Sequence, residues 1–272
     1  MKNKTIIITG AAQGFGEGIA RELFRRGANI AVADLQTDAG TKLVDELNQE
    51  GKTNKAVFVE CDVTDYKSVE TMVKSVAGNF GIIDVLISNA GILHAGSLDE
   101  MSIESFEKVT RVNYNGYFNC VRAVSPYMKQ QHAEDTGRFM DIIQINSKSG
   151  LKGSLKNFAY AGSKFGGIGL TQSFALELIK YNIKVNSICP GNYFEGPLWS
   201  DPENGLFRQY LDAGKVPGAK TINDIKAYYE KQVPAGRGCR VQDVVKAIVY
   251  VIDQEYETGQ AIPVTGGQVM QK

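Results

Sequence analysis

No stretch of this sequence stays apolar for long. The N-terminal run Ile6-Ile7-Ile8 is three residues, below the roughly 7 apolar residues of a secretory leader. No run approaches the ~18 apolar residues of a membrane helix. A cytoplasmic protein with no membrane partner is therefore expected. Histidine is nearly absent. His94 and His132 are the only two, too few for a multi-histidine metal centre. The four cysteines (Cys61, Cys120, Cys189 and Cys239) include no C-x-x-C pair, which argues against a zinc ribbon or redox dithiol. Cys61 and Cys189 end apolar runs and read as buried free thiols. Net charge is missing as well. Lys plus Arg count 30 and Asp plus Glu count 30, so no basic excess is available to displace counterions from nucleic acid. Neither a metal nor a nucleic acid is expected. There is no repeat, low-complexity tract or linker.

What is present is globular in composition: 272 residues, 43% hydrophobic and 22% charged. Short β-branched runs alternate with helical stretches. The expected strands are Thr5–Thr9, Asn29–Asp34, Ala56–Glu60, Val85–Ser88, Phe139–Asn146, Lys184–Cys189 and Ala261–Val264. They are rich in Ile and Val with little polar alternation, as strands covered on both faces are. Helices are expected at Gly18–Arg26, Lys67–Phe80, Ser102–Lys129, Ala159–Tyr181 and Val241–Asp253. Met101, Phe106, Val109 and Val112 form a helical stripe that reads as core. The alternation predicts a single α/β domain, a Rossmann-type doubly wound parallel sheet of about seven strands with helices on both faces. Residues 192–240 break the rhythm with Gly196-Pro197, Asp201-Pro202, Gly205, Pro217-Gly218 and the only tryptophan, Trp199. That is too long for a strand–helix connection, and it is expected to be an insertion acting as a substrate lid.

The first strand runs into Thr9-Gly10-Ala11-Ala12-Gln13-Gly14-Phe15-Gly16 and then a helix. Glycines let the backbone turn tightly and approach a pyrophosphate, and the helix N-terminus offers unpaired N–H groups. Gly10, Gln13, Gly14, Phe15 and Gly16 are therefore expected at a dinucleotide. The second strand ends at Asp34, 18 residues after Gly16. An acid there accepts hydrogen bonds from ribose hydroxyls and repels a 2′-phosphate. Leu35, Gln36 and Thr37 follow with no Arg or Lys, so NAD is expected rather than NADP.

In Tyr160-Ala161-Gly162-Ser163-Lys164, Tyr and Lys stand four apart, on one face of a helix. An ammonium beside a phenol stabilises the phenolate and lowers the tyrosine pKa from about 10. Such a phenol can exchange a proton with an alcohol or ketone. Ser147, 13 residues upstream and just past an expected strand, can hold the same substrate oxygen.

Together these residues resemble the short-chain dehydrogenase/reductase family over essentially the whole chain. The glycine loop fits its Thr-Gly-x-x-x-Gly-x-Gly. Ser88-Asn89-Ala90-Gly91 fits Asn-Asn-Ala-Gly except at its first residue. The resemblance implies a catalytic set of Asn113, Ser147, Tyr160 and Lys164, with Asn113 anchoring a proton-relay water and Lys164 also holding the nicotinamide ribose. It implies cofactor contacts at Leu35, Asp62 and Val63 near the adenine, at Asn89, Ala90 and Gly91, and at Pro190 and Gly191 near the nicotinamide. Tyr193 is expected there through its backbone. Glu195 stands where relatives often carry Thr, so that contact is not carried over. Thr265-Gly266-Gly267 takes the place of a C-terminal Asp-Gly-Gly. The resemblance also implies a homotetramer built on the two long helices, with Phe165, Leu170, Phe174 and Leu178 as apolar surface.

Residues outside these motifs, among them Ile143 to Gly150, Gly191-Asn192, Tyr228-Tyr229, Arg237-Gly238-Cys239 and Val264 to Met270, resemble family members that oxidise a hexitol phosphate at C2. A small-molecule substrate of sugar or polyol phosphate type is implied. Ser147, Lys148, Tyr160 and Asn192 are the candidate substrate residues. Lys152, Lys156 and Arg237 are further candidates for the phosphate, while Asn146, Glu195 and His94 are candidates for hydroxyls or the pocket wall. Another polyol, a hydroxysteroid or a 3-oxoacyl ketone remains open as substrate. A non-catalytic NAD-sensing protein would not need the complete proton relay.

Overall fold

Ile6, Ile7 and Ile8 show how the sheet is built. Ile6 and Ile8 are buried in one apolar core and Ile7 in another, because successive side chains of a strand point to opposite faces. In the computed structural model, which describes residues 1–270 apart from Lys52, Asn204 and Ala213, they lie in strand β1 (Thr5–Thr9). The other strands are β2 (Asn29–Asp34), β3 (Ala56–Glu60), β4 (Val85–Ser88), β5 (Met140–Ile145), β6 (Ile183–Pro190) and β7 (Ala261–Val264). They form one seven-stranded sheet in the order β3-β2-β1-β4-β5-β6-β7, and every pairing is parallel. The order reverses between β1 and β4. A crevice opens there at the carboxyl ends of the strands.

Helices α1 (Gly14–Arg25), α2 (Thr37–Glu50) and α10 (Val241–Asp253) cover one face through Ile19, Leu23, Leu47 and Ile248. Helices α3 (Tyr66–Phe80), α5 (Gly116–Glu134) and α6 (Phe158–Leu178) cover the other through Val69, Val73, Tyr117, Val124 and Ala175. Helix α4 (Ile103–Thr110) leads into α5 through a π-helical turn, Arg111–Asn115. All four cysteines are buried free thiols. Below the site, the Lys184 ammonium pairs with Asp141 at 2.9 Å and donates to the carbonyls of Val251 and Gln254.

Three expectations need correction. The Ser102–Lys129 helix is interrupted by the π-helical turn. Phe106 is 43% exposed and stacks on Phe158, so it is not core. Leu178 lies in the second core and is not available to a partner subunit. Helix α2 was not among the expected helices. Its polar first turn, Thr37-Asp38-Ala39-Gly40, hides the pattern, and Gly40 is required because an added Cβ would lie 2.2 Å from the Phe58 ring.

Among the described residues, 192–240 hold three short helices, α7 (Pro197–Ser200), α8 (Leu206–Asp212) and α9 (Ile222–Lys231). They close around an apolar cluster of their own that includes Phe194, Trp199, Phe207, Val216 and Ile225. Trp199 is its centre, with ring centroids 5.0 Å from Phe194 and 5.1 Å from Phe207.

Candidate active site

The glycine loop between β1 and α1 is held from the neighbouring strand. The Asn89 amide donates to the carbonyls of Thr9 (3.0 Å) and Gly10 (2.9 Å). The Thr9 hydroxyl accepts from the N–H groups of Asn89 and Ala90, both at 3.1 Å. Gly10 has φ +63° and a Cβ there would sit 2.8 Å from the Ala90 Cα, while a Cβ on Gly16 would lie 2.2 Å from the Gly10 carbonyl oxygen. No side chain caps the N-terminus of α1, where Gln13 is the capping residue. Its first-turn N–H groups are left for an anion.

Asp34 is buried at the end of β2 and accepts from the N–H of Ala12 (2.8 Å) and of Gln36 (3.0 Å). A carboxylate has about four acceptor sites, so capacity for ribose hydroxyls remains. The Asp34 carbonyl accepts from the N–H of Cys61 at 3.0 Å, which brings Asp62 and Val63 beside it. Asp62 accepts from the Thr64 N–H at 2.8 Å, and the Val63 carbonyl accepts from Asn119 at 2.9 Å. Leu35 is 61% exposed and offers an apolar face. A cradle that only glycine can line, an uncapped helix end and an acid with spare acceptors fit an adenine dinucleotide.

The second half of the crevice lies at the ends of β4, β5 and β6. Tyr160 and Lys164 share the first turns of α6. The buried Lys164 ammonium donates to the Ile145 carbonyl at 3.0 Å and lies 5.5 Å from the Tyr160 ring centroid. Ser147 caps the 3-10 turn Lys148–Gly150, its hydroxyl accepting from the Ser149 N–H at 3.1 Å, and it is hydrogen-bonded to the Tyr160 phenol. A Cβ on Gly91 would lie 3.3 Å from Asn113 Oδ1 and 3.6 Å from Lys164 Nζ, so Gly91 lets these groups converge. Pro190 ends β6, and the Gly191 N–H donates to the Val264 carbonyl at 2.9 Å. The structure thus brings Asn113, Ser147, Tyr160 and Lys164 together beside the glycine loop.

Asn113 lies in the π-helical turn, a distortion frequent at functional sites. Its amide donates to the Ile92 carbonyl (2.9 Å) and the Ser163 hydroxyl (3.1 Å), and its oxygen accepts from the Ile92 N–H (2.8 Å). Both amide hydrogens are therefore spent within the protein.

The titration of this pair departs from expectation. The spacing predicts a Tyr160 pKa lowered by Lys164. In the structure desolvation raises it, opposed by the hydrogen bond with Ser147. Burial also lowers Lys164 to about 8. Removing both groups from water penalises phenolate and ammonium alike.

Some candidates are placed elsewhere. Asn146 is buried with its side chain fully engaged, donating to Gln144 (2.7 Å) and the Lys164 carbonyl (2.9 Å) and accepting from the Ser147 N–H (2.8 Å). It braces the site and does not face a substrate hydroxyl. Gln144, which sequence reasoning passed over, continues this chain to Ser187 at 3.0 Å. A polar residue inside the apolar run of β5 was the available signal. Arg237 is committed to Asp243 in a two-pronged ion pair (2.6 and 3.0 Å), so it is not a phosphate ligand here. Lys156 pairs with Glu100 at 3.7 Å. His94 and Glu195 are exposed. Lys148 is half-buried, and its pKa is lowered by desolvation and by Lys152. The Asn192 amide makes no hydrogen bond among the described residues, while its carbonyl accepts from the Cys239 N–H at 2.8 Å. The root of the insertion touches the glycine loop, with the Tyr193 ring stacked on Phe15 at 4.4 Å.

A parallel sheet reversing at a glycine loop, with a Ser–Tyr–Lys group across the crevice, is the architecture of a dinucleotide-dependent oxidoreductase. The family model for short chain dehydrogenases matches residues 4–198, and the chain belongs to this family, whose members normally bind NAD(P). Among its relatives, sorbitol-6-phosphate 2-dehydrogenase of Escherichia coli is 37% identical over 270 residues, covering 98% of this chain and 99% of the relative. Trans-4-hydroxycyclohexanecarboxylate dehydrogenase of Sinomonas cyclohexanicum is 32% identical over 271 residues, covering 97% and 92%. The crystal structure of sorbitol-6-phosphate 2-dehydrogenase SrlD from Erwinia amylovora superposes with a TM-score of 0.89 at 36% identity, covering 98% of this chain and 100% of that one. Among the described residues, no helix is long and apolar enough to cross a membrane.

Proposed function

We propose that this enzyme interconverts sorbitol 6-phosphate and fructose 6-phosphate with NAD(H) as cofactor, in the cytoplasm and as a homotetramer. The observation that carries the chemistry is the meeting of Ser147, Tyr160 and Lys164 beside the glycine loop. The substrate reading rests on the full-length similarity to the Escherichia coli enzyme and on Lys148, half-buried next to Ser147 with no ion-pair partner among the described residues. The preference for NAD rests on Asp34, whose carboxylate would repel a 2′-phosphate. Exposed Phe118 on α5 and Phe165 on α6 support association through those helices.

In this reading Gly10, Gln13, Gly14, Phe15 and Gly16 hold the pyrophosphate. Asp34, Leu35, Asp62 and Val63 hold the adenosine half. Asn89, Ala90, Gly91, Pro190, Gly191 and Tyr193 line the nicotinamide half. A bound nicotinamide supplies two-electron chemistry at C2 of the substrate. Tyr160 takes the proton of the C2 hydroxyl during oxidation and returns it during reduction. Ser147 donates a hydrogen bond to that oxygen. Lys164 holds the cofactor ribose and, as an ammonium, favours the phenolate. Asn113, in the π-helical turn beside Gly91, orders the relay water. Lys148 and Asn192 meet the substrate, and residues 192–240 act as its lid.

The test follows NADH absorbance with fructose 6-phosphate, beside unphosphorylated fructose and an NADPH control. Fast NADH oxidation with the phosphate ester alone is expected. Equal rates with free fructose would overturn the phosphate reading, and equal rates with NADPH would overturn the cofactor reading.

A further inference from the structure

The insertion carries a lysine that no motif singles out. Lys215 follows α8, outside the span matched by the family model. Its ammonium lies 3.6 Å from the Tyr210 ring centroid, and the ring is its only partner among the described residues. The next residue, Val216, is anchored in the insertion's apolar cluster, against which Leu93 packs. Leu93 stands two residues past Gly91, the glycine that lies against Asn113 and Lys164. The insertion therefore packs beside the active site, and Lys215 is exposed on it.

The loop between Ser147 and Tyr160 carries Lys148, Lys152 and Lys156, and its Lys156 carbonyl accepts from the Gly96 N–H at 2.9 Å, three residues past Leu93. Lys156 and Lys215 are near enough for their charges to repel, and so are Lys148 and Lys152. Lys215 thus lies near Lys156, while Lys148 and Lys152 form a second basic pair on the same loop. Glu100, paired with Lys156 while both remain about half exposed, is the only carboxylate in an ion pair with any of them among the described residues. Like charges brought together without counter-charges raise the local attraction for an anion. Two ammonium groups from separate segments can grip one phosphate, each donating from its own side.

We infer that Lys215 closes a phosphate subsite against the Lys148–Lys156 loop, so that the insertion recognises the phosphoryl end of the substrate whose carbinol end meets Ser147 and Tyr160. This rests on the function proposed above and adds the residue by which the lid reads the phosphate. Binding of a dianion removes the repulsion between the two lysine-bearing segments and draws the lid onto the loop.

Trp199 supplies a readout independent of turnover. It is the only tryptophan of the chain, and its ring centroid is 5.9 Å from that of Tyr210, the ring beneath Lys215. The experiment titrates the full-length protein with inorganic phosphate while reading Trp199 fluorescence, then measures KM for fructose 6-phosphate and for fructose. Wild type, Lys215→Met and Lys215→Arg are compared. For Lys215→Met the expectation is a KM for fructose 6-phosphate raised about tenfold to a hundredfold, as for one charge-assisted hydrogen bond. Its kcat and its kinetics with fructose stay unchanged, and the phosphate-induced fluorescence change is lost. Lys215→Arg keeps the fluorescence change. An unchanged KM for the phosphate ester, or a fluorescence change that persists in Lys215→Met, would overturn the subsite. If the wild type turns over neither sugar, the proposed function falls. The phosphate titration then still decides the subsite, according to whether its signal depends on Lys215.

Discussion

The side-chain amide of Asn146 donates to the backbone carbonyl of Lys164 at 2.9 Å, which ties the strand end bearing Ser147 to the helix bearing Tyr160. The same side chain accepts the Ser147 N–H at 2.8 Å. The fit is tight, since a Cβ on Gly150 would lie 2.2 Å from Asn146 Oδ1. Asn146→Ala leaves the Ser147 N–H without its partner and removes the tie to the Lys164 carbonyl, at a cost of about 1–3 kcal/mol for the stranded group. The expected outcome is a lower melting temperature together with a fall in kcat that exceeds any change in NADH affinity. A variant that melts earlier but keeps full kcat would reduce Asn146 to a purely structural part.

Tyr160 and Lys164 are desolvated together. Tyr160→Phe is expected to lose at least about a hundredfold in turnover, within the usual range for a general acid–base group, while NADH binding measured by fluorescence titration is retained. Lost NADH binding would count against the role given to Tyr160. The pH dependence follows from the raised phenol and the lysine at about 8. Alcohol oxidation needs phenolate, so its rate climbs with pH, whereas ketone reduction needs the protonated phenol and declines at high pH. The Lys164 ammonium is lost as pH rises through about 8, so KM for NADH is expected to rise there. In Lys164→Met that step should disappear.

The sheet was legible because parallel strands covered on both faces read as plain Ile/Val runs. Five of the seven strands run over the expected residues, and only β5 and β6 differ at their ends. The glycine loop, Asp34 and the Ser–Tyr–Lys group were legible because their spacing is local. What escaped depends on contacts between distant segments. The packing of Gly40 on Phe58, the π-helical turn at Asn113 and the bracing role of Asn146 each join residues from different elements. The basic candidates show the same limit. Arg237 and Lys148 look alike as charges in sequence, yet only the fold reveals that Arg237 is committed to a carboxylate, in a two-pronged ion pair with Asp243.

Asp34 is buried but keeps acceptor capacity, and exposed Leu35 follows it. Asp34→Asn removes the charge that repels a 2′-phosphate while keeping an acceptor for the Ala12 N–H. Adding Leu35→Arg supplies a cation where the 2′-phosphate would lie. The double variant is expected to shift the ratio of kcat/KM for NADH over NADPH toward NADPH by about tenfold or more, the effect of roughly one charge-assisted hydrogen bond. Parallel assays with both cofactors read the ratio. An unchanged ratio would place the discrimination elsewhere.

Asp141 and Lys184 form an ion pair with both side chains almost wholly buried (2% and 0% exposed). Desolvation pushes the Asp141 carboxyl up to about 6 from 3.8 in spite of the lysine. Between those two values the folded protein holds a proton that the unfolded chain has released, so stability falls as pH rises through the window. Asp141→Asn carries no titrating group and keeps an amide of similar shape. Its melting temperature is expected to vary less than that of the wild type between about pH 4 and 6. Asp141→Ala is expected to be worse than Asp141→Asn at every pH, because Lys184 then keeps only the carbonyls of Val251 and Gln254 as partners, and a buried charge without its counter-charge is costly. Melting curves of the three proteins across this range separate the two forces. If wild type and Asp141→Asn show the same slope, the pull of Lys184 outweighs burial and the carboxylate stays ionised throughout.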